Sequence, residues 1–417
     1  MSYELTVAAD LAAVRRAMGA PGRELCVGTR AGINGAGQSN GTNLQFNTMT
    51  CHYIPIACSR VKLVYEGFYV SQGAAEADQS PDLTIKVGFR PAGASPGKTS
   101  PNAPNLLVSR RVTFGGSVSG VVMGQTTGVS GSADLVSDPQ PFWFPANTLI
   151  TIQTYAVLAS GQYWRGRAVV NGPGERNEEG VTVTDQSISG GIAGNGNWSI
   201  APNLIVGVPD NAAARAVAII GDSIADGTGD TASYTTGVIG YIERGLGIDV
   251  PNAKFSRGGT KLSNWGTRGY SQLAMIGRYF TDAIIELGIN DVGAADSLAT
   301  MQANFEKISA PLQAMGVKVH GATLTPYTTS TDSWATTANQ TVTANEAVRV
   351  AYNDWLRTMP LNIASVIEAA DIAETSRNSG KWKVTGAANY ATGDGVHPSS
   401  AMHVLMGAAV PPSLFGY

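Results

Sequence analysis

The chain has 417 residues, which is more than one hydrophobic core usually organises, so two domains are expected. Charged residues make up only 14% of the chain and the formal net charge is -3, which argues against nucleic acid as a partner. Gly, Ser, Thr, Asn or Asp interrupts every apolar run before it reaches membrane-spanning length, so no membrane partner is expected either.

The first residues, Met-Ser-Tyr-Glu-Leu-Thr-Val, do not have the basic start and apolar run of a secretory leader. The compartment is left open, with a secreted and a phage-associated protein both compatible with the sequence. A helix is predicted from Ala8 to Met18. The cysteines Cys26, Cys51 and Cys58 lack metal-ligand spacing, and two alternatives stay open for them: a bridge between Cys51 and Cys58, or three reduced thiols.

Residues 1–208 are predicted to form an all-β accessory domain. Short segments in which apolar and polar residues alternate are separated there by clusters of Gly, Pro, Ser and Asn, a pattern typical of a β-sandwich or jelly roll. The clearest segments are Arg60 to Val70, Leu83 to Phe89, Leu106 to Phe114 and Thr148 to Val157.

Three tryptophans of this first part, Trp143, Trp164 and Trp198, have two possible roles. If exposed, they could stack on sugar rings, as in a carbohydrate-binding module. The alternative is that they pack in a core or against the rest of the chain.

Residues 209–417 are predicted to form an α/β domain with a parallel sheet. Short, nearly continuous apolar runs alternate with segments of helical spacing, as expected for strands that are buried on both faces and covered by helices in three layers. The strands are predicted at Ala216 to Ile220, Ala253 to Ser256, Ala283 to Leu287 and Val317 to Leu324, and the helices at Thr235 to Gly245, Ser271 to Tyr279, Ser297 to Met315 and Asn345 to Met359. A functional site is expected at the carboxyl ends of these strands.

Candidate functional residues follow each of the first three of these strands. Ser223, in Gly-Asp-Ser-Ile, follows the first strand and is either a reachable nucleophile or a cap on the next helix. Gly258 and Gly259 follow the second strand and mark either an ordinary turn or a place where a backbone N–H approaches a ligand. Asn290 follows the third strand, as a carboxamide donor or as a cap.

A serine hydrolase built on this chain must take its base from one of four histidines. His52 lies in the first part of the chain, His320 in a predicted buried strand and His403 in the last predicted helix, so all three are interpreted as structural. His397 lies on a loop, and Asp394 three residues earlier on the same loop can orient its ring. Asp394 and His397 are therefore the candidate partners of the serine.

In order and context, these segments resemble the four signature blocks of the SGNH/GDSL hydrolase family. The matching segments are Gly221-Asp222-Ser223-Ile224, the glycine Gly259, Gly288-Ile289-Asn290-Asp291 and Asp394-Gly395-Val396-His397. The resemblance implies a flavodoxin-like α/β/α fold in which Ser223 attacks an ester carbonyl, His397 accepts the proton and Asp394 orients His397. It also implies an oxyanion hole formed by the Ser223 amide, the Gly259 amide and the Asn290 side chain, with Gly259 preferred over Gly258.

The segment from Ser137 to Thr148 resembles a jelly-roll-like β companion that is attached to some members of that family. The expected function is thus a serine esterase without metal or organic cofactor that removes short acyl groups, acetyl above all, from a small-molecule or polysaccharide ester. The alternative is a noncatalytic carbohydrate-binding or phage-tail protein with a vestigial hydrolase fold. Four aromatic residues of the second part could either line a substrate pocket or pack within loops: Trp265, Tyr270, Tyr327 and Trp334.

Overall fold

The structure is a computed structural model that describes residues 23–92, 110–123, 134–166, 175–189, 192, 199–231 and 236–417. The helix predicted from Ala8 to Met18, residues 106–109 of the strand predicted from Leu106 to Phe114, and Trp198 lie outside the described residues. In the part of the chain that is described, no helix is both long and apolar enough to cross a membrane.

The first part of the chain is built almost entirely of strands. They are β1 (Leu25–Cys26), β2 (Ala31–Gly32), β3 (Gly37–Gln38), β4 (Gln45–Ile54), β5 (Cys58–Tyr65), β6 (Phe68–Val70), β7 (Glu76–Asp78), β8 (Leu83–Ala92), β9 (Arg110–Arg111), β10 (Gly120–Val122), β11 (Leu135–Val136), β12 (Trp143–Phe144), β13 (Thr148–Leu158), β14 (Trp164–Arg165), β15 (Arg176–Gly180) and β16 (Leu204–Pro209).

In the second part, strands and helices alternate. The elements are β17 (Val217–Gly221), α1 (Ser223–Asp226), α2 (Tyr241–Leu246), β18 (Asn252–Ser256), α3 (Leu262–Thr267), α4 (Tyr270–Tyr279), β19 (Asp282–Glu286), α5 (Ile289–Gly293), α6 (Leu298–Ala314), β20 (Lys318–Ala322), β21 (Thr328–Ser330), β22 (Gln340–Val342), α7 (Glu346–Arg357), β23 (Ser365–Ile367), α8 (Ala369–Ala373) and α9 (Ser400–Met406). Short 3-10 turns occupy Pro360–Asn362, Gly407–Ala409 and Pro412–Phe415.

Two antiparallel sheets of the first part face each other as a β-sandwich. One sheet has the order β1-β16-β5-β11 with β12 also paired to β5, and the other has the order β10-β8-β13-β4-β15 with β9 paired to β8. Apolar side chains from both sheets share one core, for example Leu63 of β5 with Phe89 of β8 and Ile150 of β13. This arrangement confirms the predicted β-rich first part, because residues at alternate positions of each strand point into the layer between the sheets.

The second part contains a parallel sheet of the order β2-β18-β17-β19-β20-β23. Leaving out β2, its chain order is that of a flavodoxin-like sheet, in which the first strand lies between the second and third. All five residues of β17, β18 and β19 are buried, as expected for strands covered by helices on both faces. The predicted three-layer α/β/α fold is confirmed.

The two parts of the chain are joined by shared packing. Along β16, Ile205 points into the sandwich, whereas Leu204 and Val206 belong to the core of the second part. At the edge of the parallel sheet, Ala31 and Gly32 of β2 pair in parallel with Ala253 and Lys254 of β18. Neighbouring residues on β16 contribute to both cores, so the packing does not mark one point of division between the two parts. The boundary predicted between residues 208 and 209 stays a prediction.

Candidate active site

Ser223 lies on a tight turn at the carboxyl end of the central strand β17. The Oδ1 atom of Asp222 accepts a hydrogen bond of 2.9 Å from the N–H of Ile224, at the start of the one-turn helix α1. The residue after this helix is Gly227, whose φ of 103° favours glycine. A methyl group built on Gly221 would lie 2.3 Å from the Cβ of Ala225, so the strand and helix approach too closely for any side chain there. This turn presents Ser223 at the sheet edge with 8% of its surface exposed.

His397 and Asp394 complete a hydrogen-bonded row with the serine. The Nε2 atom of His397 lies 2.8 Å from the Oγ of Ser223, and its Nδ1 atom lies 2.6 Å from the Oδ2 of Asp394. The other carboxylate oxygen of Asp394 accepts from the backbone N–H groups of Val396 and His397, at 2.9 and 2.8 Å. Burial alone would raise the pKa of Asp394, but the interactions with His397 and the hydrogen bond from the Val396 N–H together outweigh burial and lower that pKa.

The loop that carries Asp394 and His397 is fixed by hydrogen bonds to the carbonyl of Gly395. Its carbonyl accepts hydrogen bonds from the N–H of Thr328 at 2.9 Å and from the indole of the fully buried Trp382 at 3.0 Å. The φ of Gly395 is 85°, and a methyl group there would lie 1.8 Å from the Thr328 carbonyl oxygen. Sequence reasoning missed Trp382 and Thr328, because neither is adjacent in sequence to the catalytic motifs.

Candidate oxyanion donors flank Ser223 on the neighbouring strands. Gly259 follows β18 with a φ of 74°, and Asn290 follows β19 at the start of α5. The carboxamide of Asn290 donates a hydrogen bond of 3.1 Å to the carbonyl of Thr260, which fixes its orientation beside the glycine turn. The structure thus places Ser223, Gly259 and Asn290 at the ends of three adjacent strands, and their roles as oxyanion donors stay a prediction.

Three buried carboxyl groups lie beneath this turn. Glu286, at the end of β19, accepts from the N–H of Ala225 at 3.2 Å and from the N–H of Asp222. Burial, together with the neighbouring Asp291 carboxylate, raises the pKa of Asp222 to about 7, and burial raises that of Asp291 to about 6. Burial and the charge of Asp222 also raise the pKa of Glu286. The carboxyl groups beneath the nucleophile turn therefore lose their protons at higher pH than exposed carboxyl groups do.

The other three histidines are engaged away from the serine. His52 contacts the Thr29 carbonyl and the Thr50 hydroxyl, His320 lies 3.0 Å from Asp282, and His403 lies 3.0 Å from the Thr228 carbonyl. Burial lowers the pKa of His403. These contacts agree with their interpretation as structural residues.

The candidate pocket aromatics differ in exposure. Trp265 is buried, whereas Tyr270, Tyr327 and Trp334 are half-buried. Of the tryptophans in the first part, Trp143 is 58% exposed and Trp164 stacks on Tyr69 with ring centroids 5.0 Å apart.

Cys26, Cys51 and Cys58 are free and buried. Among the described residues, no group of three or more His, Cys, Asp or Glu side chains is placed so that it could hold a metal ion.

The family model described as the GDSL-like Lipase/Acylhydrolase family matches residues 219–405. No curated protein matches the chain. Among solved structures, a GDSL-like lipase from Bacteroides thetaiotaomicron is 14% identical, with 48% of this chain and 87% of that chain covered and a TM-score of 0.36.

Two further solved structures are similar to the same extent. An acetyl-xylooligosaccharide esterase from Geobacillus is 16% identical, with 49% of this chain and 94% of that chain covered and a TM-score of 0.36. A member of the lipolytic G-D-S-L family from Veillonella parvula is 15% identical, with 46% of this chain and 94% of that chain covered and a TM-score of 0.32.

Proposed function

Residues 219–405 of this chain belong to the GDSL-like lipase/acylhydrolase family, and on that premise we propose that the protein is a serine esterase that removes short acyl groups from a carbohydrate. The observation that carries the proposal is the row formed by Ser223, His397 and Asp394, with hydrogen-bond distances of 2.8 and 2.6 Å. A free serine hydroxyl is a poor nucleophile, and this row supplies the base that activates it.

In the proposed reaction, Ser223, His397 and Asp394 have separate roles. As the Oγ of Ser223 attacks the ester carbonyl, the Nε2 of His397 accepts its proton, and the Asp394 carboxylate stabilises the imidazolium that forms. The imidazolium then protonates the leaving alcohol, which leaves the acyl group on Ser223. Water attacks this acyl-enzyme in the same way, with His397 again accepting and returning the proton, and the carboxylic acid departs.

The negative charge that develops on the carbonyl oxygen requires donors that are already oriented. The N–H groups of Ser223 and Gly259 and the Asn290 carboxamide are the proposed donors, and these three residues follow the adjacent strands β17, β18 and β19. Such fixed donors act without reorganisation during the reaction, which is why they lower the barrier.

Small and polar residues next to Ser223 support a short acyl group and a hydroxyl-bearing alcohol. A methyl group on Gly258 would lie 3.7 Å from the Cβ of Ser223, so this side of the nucleophile is bordered by bare backbone. The side chain of Gln72, from the first part of the chain, borders the same space. A long apolar acyl chain would gain little by burial against such groups.

Two measurements test this function. A fluorophosphonate probe should label the wild-type protein at Ser223 and fail to label Ser223→Ala, since only an activated serine reacts. In a series of p-nitrophenyl esters from two to twelve carbons, kcat/KM should be highest for acetate or propionate. An unlabelled wild-type protein would reject the esterase, and a maximum at eight carbons or longer would indicate a lipase-like enzyme instead.

A noncatalytic carbohydrate-binding role has one observation in its favour. The ring of Trp143 is 58% exposed on the β-sandwich, and its indole N–H donates to Asp210 over 2.6 Å, which holds the ring in one orientation. A fixed, exposed ring of this kind can stack on a sugar. Slower migration of the wild-type protein than of Trp143→Ala through a polysaccharide-containing native gel would support this second role, whether or not Ser223 reacts.

A further inference from the structure

The hairpin formed by β6 and β7, in the first part of the chain, reaches the candidate active site. The N–H of Gly73, in the turn between these strands, donates a hydrogen bond of 2.8 Å to the carbonyl of Gly258. A methyl group on Gly259 would lie 3.2 Å from the Cα of Gly73, so the two turns are in close contact. The hairpin turn therefore lies directly against the glycine turn that borders Ser223.

Polar contacts fix this hairpin on the second part of the chain. The buried carboxylate of Glu76 accepts from the backbone N–H groups of Ser271 and Gln272, at 3.3 and 3.0 Å, at the N-terminal end of α4. Asp78 forms an ion pair with Arg268. On the other strand, the N–H of Val70 donates to the carbonyl of Asn34, in the first part of the chain, at 3.0 Å. Since both strands of the hairpin are bonded to neighbouring segments, the turn between them is held in one position.

The side chain of Gln72 projects from this fixed turn beside the nucleophile. A methyl group on Gly258 would lie 3.8 Å from the Cγ and 3.9 Å from the Cδ of Gln72, and 3.7 Å from the Cβ of Ser223. Gln72 and Ser223 thus border the same small space. Gln72 is exposed, and within the part of the chain that the structure describes its carboxamide has no hydrogen-bond partner.

We propose that Gln72 is a substrate-binding residue that hydrogen-bonds to a hydroxyl group on the alcohol part of the ester, so that the β-rich part of the chain contributes to specificity. This inference rests on the proposed esterase function and extends it. A carboxamide offers two donors and one acceptor, which matches a hydroxyl-bearing alcohol, whereas a short acyl group has no polar atom beyond its carbonyl. Its position on an anchored turn keeps the entropy cost of this contact low.

The test compares two acetate esters and two variants. Gln72→Met keeps the length of the side chain and removes its hydrogen bonds, and Gln302→Met makes the same change on α6, a helix that contributes no residue to the triad or the oxyanion hole. For each protein, kcat and KM are measured with a monoacetylated xylose and with p-nitrophenyl acetate, which has no hydroxyl group. Loss of one hydrogen bond should lower the ratio of the two kcat/KM values about three- to tenfold in Gln72→Met, mainly through KM for the sugar ester.

The possible results separate this inference from the proposed function. An unchanged ratio in Gln72→Met would overturn the role of Gln72 while leaving the esterase intact, and so would an equal fall in Gln302→Met. A wild-type protein that hydrolyses p-nitrophenyl acetate but no acetylated sugar would overturn both the role of Gln72 and the carbohydrate substrate. A selective loss in Gln72→Met alone would support the inference, because a general structural defect would slow both esters alike.

Discussion

Glu286 holds the turn of the nucleophile by accepting hydrogen bonds from the backbone N–H groups of Asp222 and Ala225, on either side of Ser223. The Asp222 carboxyl is itself fully buried, and its Oδ2 atom has no partner among the described residues. Burial raises the pKa values of both acids, and the charge of Asp222 raises that of Glu286 further. The support of the nucleophile is consequently sensitive to pH.

Asp222→Asn should make the free energy of unfolding fall less steeply with rising pH than it does in the wild-type protein. A carboxyl whose pKa rises on folding, here to about 7, favours the folded state at low pH and loses that contribution as pH increases from near its ordinary value of about 4. Asparagine keeps the acceptor for Ile224 and cannot ionise. The free energy of unfolding of the variant, relative to wild type, should rise between pH 5 and pH 8 by at least about 1 kcal/mol, since one pKa unit corresponds to about 1.4 kcal/mol.

Urea unfolding of both proteins at several pH values measures this difference. A difference that is constant from pH 5 to pH 8 would show that Asp222 ionises as freely in the folded protein as in the unfolded chain.

Asn290→Ala should lower turnover far more than it weakens substrate binding. The carboxamide of Asn290 is held beside the glycine turn by its bond to Thr260, and removal of one oxyanion donor typically lowers kcat by roughly 100- to 1000-fold. KM for p-nitrophenyl acetate should change little, because the donor acts mainly on the charge that develops in the transition state. Unchanged kcat would remove Asn290 from the oxyanion hole.

Asp394→Asn should lower kcat by roughly 100- to 10,000-fold, because an amide cannot stabilise the imidazolium and favours the wrong tautomer of His397. The backbone bonds from Val396 and His397 to this side chain would remain possible, so the loop should keep its conformation. Asp354→Asn is the matched control: its side chain is 54% exposed, as is that of Asp394, and it lies on α7. Equal kcat values for the two variants would contradict the role of Asp394.

The variants Gly259→Ala and Gly258→Ala should differ in their thermal stability and in their kcat. Gly259→Ala places a side chain at a φ of 74° and 3.2 Å from Gly73, so both stability and kcat should fall, with a cost of about 1–3 kcal/mol for the strained backbone. At Gly258 a methyl group meets only ordinary contacts, so the thermal midpoint should change less, while access to Ser223 is narrowed. Thermal unfolding and p-nitrophenyl acetate kinetics separate the two. Equal thermal midpoints would argue against backbone strain at Gly259.

Much of the second part could be predicted because its signals are local. The strand predicted from Ala216 to Ile220 is observed at Val217–Gly221, and the helix predicted from Ser297 to Met315 at Leu298–Ala314. Continuous apolar runs and helical periodicity are properties of neighbouring residues, which a single sequence displays. The helix predicted from Thr235 to Gly245 is shorter, Tyr241–Leu246, because Gly240 before it has a φ of 83°.

Several structural features could not be predicted from the sequence because they depend on contacts between residues far apart in the chain. The segment predicted as one strand from Arg60 to Val70 divides into β5 and β6, and the turn between them is held by Asn203, whose side chain accepts from the Glu66 N–H at 2.9 Å. The positions of Gln72 beside Ser223 and of Trp382 under Gly395 likewise follow from the tertiary fold. Neither residue lies in a motif, so no local pattern points to it.

The two-residue strand β2 bears on whether the second part of the chain can be produced as a separate fragment. Because Ala31 and Gly32 cover the edge of β18, a fragment that begins at residue 209 would present β18 with unpaired backbone N–H and C=O groups. It would also uncover the apolar side chains that pack against Leu204 and Val206. Open edges of this kind pair with other copies, so such a fragment would tend to aggregate rather than behave as a minimal enzyme.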